Sequence, residues 1–189
     1  LSTETALDAG GNEDARSGVA AYFLKMKGEK RVAPLAAPPA LDLFVSWLGA
    51  FAGISVVAML TLVYKMPMLV PSFGASAVLI YGVPEVPLAQ PRNVIGGHVV
   101  SAATGVVVYA LCGLTWWSAA MATALAIALM LVTKTAHPPG GATALGAVLI
   151  KASPQYILAP VALGAVILVA VGLLVNNLSP HRRYPRYWL

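Results

Sequence analysis

The sequence predicts an all-α membrane protein. The expected architecture is four transmembrane helices plus two short re-entrant or half helices, arranged as an internal duplication of helix, half-helix, helix. Three observations carry this expectation. The 189 residues are 59% hydrophobic and only 10% charged, with mean hydropathy +0.79, whereas a soluble domain carries roughly 25% charged residues. The charges are also segregated: between positions 43 and 178 they are confined to Lys65, Glu85, Arg92, Lys134 and Lys151. A bilayer imposes that separation, because a charge at its centre costs at least ~2.5 kcal/mol. The third observation is a repeat. At an offset of 67, Gly74-Ala75-Ser76-Ala77 falls on Gly141-Ala142-Thr143-Ala144, Gly97 on Gly164 and Gly105 on Gly172.

Residues 1–42 read as a polar N-terminal arm with a short amphipathic segment around Tyr22-Phe23-Leu24-Lys25 and a Pro-rich linker. The transmembrane domain covers 43–178, with repeat 1 at about 43–114 and repeat 2 at about 116–178. The first span, 43–64, has Asp42 as a candidate N-cap and Trp47 for the interface. It is long enough to cross a core ~30 Å thick at ~1.5 Å per residue. Further spans are expected at 93–114, 116–135 and 156–178. The second and third of the four must form a tight hairpin, with Trp116 and Trp117 at headgroup level. Asn176-Asn177 ends the last span, and 179–189 is a basic C-terminal tail. Two apolar pieces, 72–83 and 140–150, are too short to cross as helices and fit half-spanning or re-entrant segments.

Each short piece follows prolines, Pro71 in one half and Pro138 and Pro139 in the other. Proline cannot continue an incoming helix, but it suits the first turn of a new one. Paired, interrupted segments in corresponding halves point to a transport site. Irregular backbone at membrane depth is tolerated only against protein or a wet cavity. Helix N-termini present amide donors and a positive dipole end, so the expected anion pocket comprises Gly74, Ala75, Ser76, His137, Gly140, Gly141 and Thr143. Arg92, His98 and Lys134 would add positive potential, although a histidine inside a span is as readily a neutral bridge between helices. Packing is the expected main role of Gly49, Gly53, Gly97, Gly105, Gly164 and Gly172.

The stretches "HPPGGATAL" (137–145), "PSFGASAVLIYGVPEVPLAQPRNVIGGH" (71–98) and "NNLSPHRRYPRYW" (176–188) resemble the HPP family of small integral membrane proteins. With "YFLKMKG" (22–28), the likeness covers nearly the whole chain beyond residue 20. Gly140 stands where the family signature more commonly has alanine. The resemblance implies four transmembrane helices and, from chloroplast and cyanobacterial members, nitrite transport. It also suggests an organellar membrane, chloroplast or mitochondrial inner, with a bacterial plasma membrane as the alternative.

The function expected is therefore a small-anion, nitrite-like transporter or channel. The competing expectation is an accessory subunit of a larger respiratory or photosynthetic complex. An enzyme is not expected, since the core holds the single acidic residue Glu85 and no metal-ligand set. No cofactor is expected either, and no nucleic acid, because the basic residues flank the apolar block. Cys112 is alone, so an intrachain disulfide is excluded. Expected partners are the lipid bilayer and either further copies, as a dimer or trimer, or other subunits of a complex. Re-entrant short segments would place both termini on the cytoplasm, stroma or matrix side, with Lys65, Arg92, Lys134 and Lys151 opposite. Short segments that cross would instead make the two halves inverted in topology.

Overall fold

The computed structural model describes residues 22–23, 26 and 37–188, and the chain divides into two units, Leu1–Ala37 and Pro38–Leu189. In the first, Met26 N donates to Phe23 O at 3.2 Å. The rest of the expected amphipathic segment lies outside the described residues.

The second unit is helical among its described residues. Its six helices are α1 (Ala40–Leu62), α2 (Ser72–Gly82), α3 (Pro91–Cys112), α4 (Trp116–Val132), α5 (Pro139–Leu149) and α6 (Ile157–Asn176). Three of them, α1, α3 and α6, are long and apolar enough to cross a membrane. The expected third span of 116–135 is shorter, at 17 helical residues. It ends because Lys134 turns left-handed, at φ 57°, so that Thr135 N reaches Met130 O and Lys134 N reaches Leu131 O. That is the Schellman closure. Lys151 ends α5 in the same way, with φ 56° and the bonds Ala152 N to Ala147 O and Lys151 N to Val148 O. The α3–α4 hairpin is as tight as expected. Gly113 takes φ 66°, and Thr115 caps α4 in a reciprocal box with Ser118. Trp116 projects from it, 86% exposed.

The two short helices begin alike. Phe73 N and Gly74 N donate to Val70 O and Pro71 O, while Gly140 N and Gly141 N donate to His137 O and Pro138 O. Both helices are offset by 67 positions at either end. Their packing follows the same offset. A Cβ on Gly164 would collide with the Phe73 ring; one on Gly140 would sit 3.1 Å from Gly97 O. A Cβ on Gly172 would meet Ile80 at 2.7 Å, and one on Gly105 would meet Ala147 at 2.7 Å. The last long helix of each half thus packs on the short helix of the other half through its glycines, the close-approach role expected of them. On α1, Gly49 and Gly53 receive the Tyr81 ring, whose hydroxyl donates to Leu168 O at 2.9 Å. α2 is thereby wedged between α1 and α6.

The ends of the bundle can be assigned from polar contacts. Arg182 donates to Tyr81 O at 2.8 Å and to Asp42 O at 2.8 Å, and Asn176 donates to Ile80 O at 2.9 Å. The end of α2, the start of α1 and the end of α6 therefore meet at what we term the terminal end. The end of α5 instead lines a cavity with Pro67, Leu69 and Val70, the segment that leaves α1 at the far end. α2 and α5 start beside each other, with Ser72 Oγ 2.8 Å from Thr143 Oγ1, and finish at opposite ends. A re-entrant course that returns to its side of entry is not what they follow.

The same contacts correct the expected distribution of charge. Tyr184 donates to Ala89 O at 2.9 Å and Arg186 N to Gln90 Oε1 at 2.8 Å, so the start of α3 lies at the terminal end. Arg92 goes with it, and so does Lys134, because Arg92 donates to Thr133 O at 3.3 Å. Only Lys65 and Lys151 of that expected group lie at the far end. The physical reason is the short helices: each carries the chain on to the other end instead of turning it back.

Candidate functional site

The short helices meet at a buried polar junction. α2 supplies Ser72 and Ser76, one turn apart and therefore on one face. α3 supplies His98, the segment before α5 supplies His137, and α5 supplies Thr143. All five are at most 3% exposed. Ser76 Oγ lies 2.7 Å from His98 Nε2 and 2.9 Å from His137 Nε2. His98 Nδ1 lies 2.8 Å from Thr143 Oγ1, and Thr143 Oγ1 lies 2.8 Å from Ser72 Oγ. His137 Nδ1 is 2.8 Å from Leu88 O. The imidazole centroids are 4.9 Å apart, and the Phe73 ring packs edge-on to His98 at 5.3 Å.

A carbonyl can only accept, so with neutral imidazoles the direction of every bond in the series follows. His137 donates from Nδ1 to Leu88 O, which leaves Nε2 bare to accept from Ser76. Ser76, its proton committed, accepts from His98 Nε2–H. His98 Nδ1 is then bare and accepts from Thr143, which in turn accepts from Ser72. The alternatives are longer contacts: Ser76 to Ser72 O at 3.2 Å and Thr143 to Pro139 O at 3.4 Å. Among the described residues, no buried side-chain nitrogen or oxygen lacks a partner, as low-dielectric burial demands.

Next to this junction is a cavity of about 790 Å³, lined by Pro71, Ser72, Ala142, Gly146, Tyr156 and Pro160 among others. Its walls are mainly apolar, with Ser72, Ser153, Gln155, Lys151 and Tyr156 as polar points. Ser72 belongs to both the cavity wall and the buried series.

The candidate residues read from the sequence separate into groups. Ser76, His98, His137 and Thr143 come together in the junction. Gly140 is buried, and a Cβ there would lie 2.6 Å from Ser101 Oγ. Gly74 and Ala75 face outward, and Gly141 is half-buried. The amides of Phe73, Gly74, Gly140 and Gly141 are already bonded three residues back, so those four are not free donors. Arg92 and Lys134 sit at the terminal end, away from the junction, with Lys134 exposed. Pro71, Pro138 and Pro139 stand at the helix starts, as expected.

Two features escaped the sequence reading. Ser72 did, although the spacing Pro-Ser-x-x-x-Ser places it on the same helix face as Ser76. The other is a cluster at the terminal end. Arg182, 9% exposed, donates to Tyr81 O, Asp42 O, Ser46 Oγ and Asn176 Oδ1, and its Nε is 3.6 Å from Asp42 Oδ1. Ser179 Oγ donates to that same carboxylate at 2.6 Å. The sequence places Arg182 only within a basic tail; a lone buried arginine there has no sequence signature.

Fold and site together define an integral membrane protein, helical in its described core, with a buried polar junction that reaches a cavity wall at Ser72. A family model, the HPP transmembrane region, matches residues 35–185. The chain belongs to the HPP transmembrane family. A transmembrane protein of Dictyostelium discoideum is 41% identical over 184 residues, covering 88% of this chain and 57% of the relative. A second transmembrane protein of that organism is 39% identical over 183 residues, covering 88% and 63%. The chain thus spans 57% and 63% of the length of these relatives. No solved structure matches it.

Proposed function

We propose that this chain is a membrane transporter or channel for a small anion of nitrite's kind. It is built as a duplicated unit whose α1, α3, α4 and α6 cross the bilayer and whose half-helices α2 and α5 meet near its middle. The observation that carries the reading is the course of α2 and α5. They begin side by side at a buried polar junction, end at opposite ends of the bundle, and pack through glycine contacts related by one offset. Interrupted helices meeting between inverted halves are how many carriers build a midplane site. The cavity supplies a route from the far end to Ser72. The anion would meet the start of α5 near Ala142, which lines the cavity, with Thr143 behind it. Arg92, Lys134, Arg182, Arg183 and Arg186 at the terminal end favour that end, with both termini, facing the cytoplasm, stroma or matrix.

Nitrite uptake by vesicles carrying the full chain tests the reading. Uptake at pH 8 should exceed that of protein-free vesicles at least tenfold, and Thr143→Val should reduce it. Uptake equal to protein-free vesicles removes the proposal. Complete satisfaction of the buried polar atoms favours a second reading, a static accessory subunit in a larger complex. Co-migration with such a complex on a native gel would support it.

A further inference from the structure

Ser72 joins the cavity to the paired imidazoles. From its hydroxyl the bonds run unbroken through Thr143, His98 and Ser76 to His137, each between 2.7 and 2.9 Å. We propose that this series takes one proton from a small weak acid bound in the cavity and holds it on His137, so that proton and anion cross together. The proposal rests on the carrier reading and adds to it the coupling ion and the substrate class, a weak acid handled as anion plus proton.

The transfer balances. The acid's O–H bond breaks and its proton bonds to Ser72 Oγ, while Ser72 passes its own proton to Thr143. Thr143 passes its proton to His98 Nδ1, and His98 releases the proton on Nε2 to Ser76. Ser76 hands its proton to His137 Nε2. Each hydroxyl ends with one proton, and His98 has exchanged one tautomer for the other. His137 has become an imidazolium whose Nδ1–H still bonds Leu88 O, and the acid has become its anion. The positive and negative charges both stay inside the protein, which avoids carrying a net charge through hydrocarbon.

Two features suit the pair to a single proton. With centroids 4.9 Å apart, two imidazoliums in a medium of low dielectric would repel strongly. Among the described residues, no other titratable group from the surrounding elements turns toward them. Arg92 bonds Thr133 O, Tyr81 bonds Leu168 O, Glu85 and Lys134 are exposed, and Tyr156 lines the cavity.

The test uses the full chain in vesicles containing a pH-sensitive dye, with nitrite as the probe. One proton should enter per nitrite, and valinomycin with potassium should leave the rate unchanged. Proton entry should fall at least tenfold in His98→Gln and His137→Gln and persist in Thr143→Ser. Nitrite flux without proton entry, or one that valinomycin accelerates severalfold, overturns the proposal and leaves the carrier reading standing. Nitrite flux no greater than in protein-free vesicles defeats the carrier reading instead. The proton store is then decided on the wild-type chain alone by nitrogen NMR of its three histidines. His98 should carry its proton on Nε2 and His137 on Nδ1, and acid should charge one of the pair. Both staying neutral, or both charging together, refutes the store.

Discussion

His98 and His137, 39 positions apart in sequence, share a single hydroxyl: Ser76 Oγ lies within 2.9 Å of the Nε2 of each. Neutral His137 spends its one N–H on Leu88 O, so its Nε2 accepts from that oxygen while His98 Nε2–H donates to it, and the two rings are different tautomers. With the bond to Leu88 O as anchor, a small side chain on α2 links the tautomer of a residue on α3 to that of one in the loop before α5.

Ser76→Ala should destabilise the protein by about 1–3 kcal/mol, because both ring nitrogens lose a buried partner at once. Ser76→Thr, which keeps the hydroxyl, should lose less. Thermal unfolding in detergent measures the difference, and equal melting of Ser76→Ala and wild type would contradict the bonding described.

Arg182→Met should cost about 3–5 kcal/mol, the usual penalty for breaking a buried ion pair. It also leaves the ends of α1, α2 and α6 without their common donor. Limited proteolysis should cut near residue 180 faster than in the wild type. An Arg183→Met variant, which touches none of those groups in the contacts above, should be cut at the wild-type rate.

Gly164→Ala and Gly74→Ala should move stability in opposite directions. A methyl at 164 collides with the Phe73 ring, and overpacking of this kind costs about 1–3 kcal/mol. At 74 nothing lies within 4 Å, so alanine should stabilise the helix by about 0.5–1 kcal/mol. Paired melting curves decide it; the same sign for both would contradict the packing.

Alkaline pH should loosen the tail. Burial pushes the Tyr184 phenol well above its ordinary value of 10.0, so the folded tail holds this proton more tightly than the unfolded one. Its contribution is complete below about pH 10 and declines as pH rises beyond that. Tyr184→Phe should flatten this dependence, read as proteolytic release of the tail between pH 9 and 11.

Much of the architecture was legible in the residues. Pro71 and Pro138-Pro139 marked the starts of α2 and α5 because proline cannot continue an incoming helix but suits the first turn of a new one. The Gly97/Gly164 and Gly105/Gly172 pairs marked close crossings because no other residue lets backbones approach so far. Ser76, His98, His137 and Thr143 stood out as polar groups in an apolar setting, and they do converge. Their linkage was not legible, since hydrogen-bond distances depend on how three separate segments fold together. The direction of travel of α2 and α5 was hidden too. Length says that such helices are too short to cross, but not at which end of the bundle each one finishes. That one ambiguity misplaced Arg92 and Lys134. Arg182 was hidden for a different reason: basic tails beside membranes are common, and only packing reveals which arginine has turned inward.

The two crossings related by the offset are built unequally. Gly140 lies against Ser101 Oγ and Met130 Sδ as well as Gly97 O, whereas Gly164 lies against the Phe73 ring. Two crossings of identical make would answer the same substitution in the same way. These two do not match, because one is lined by a hydroxyl, a thioether and a carbonyl, and the other by an aromatic ring. A methyl added at position 140 would therefore meet polar and polarisable atoms, and one added at position 164 aromatic carbon.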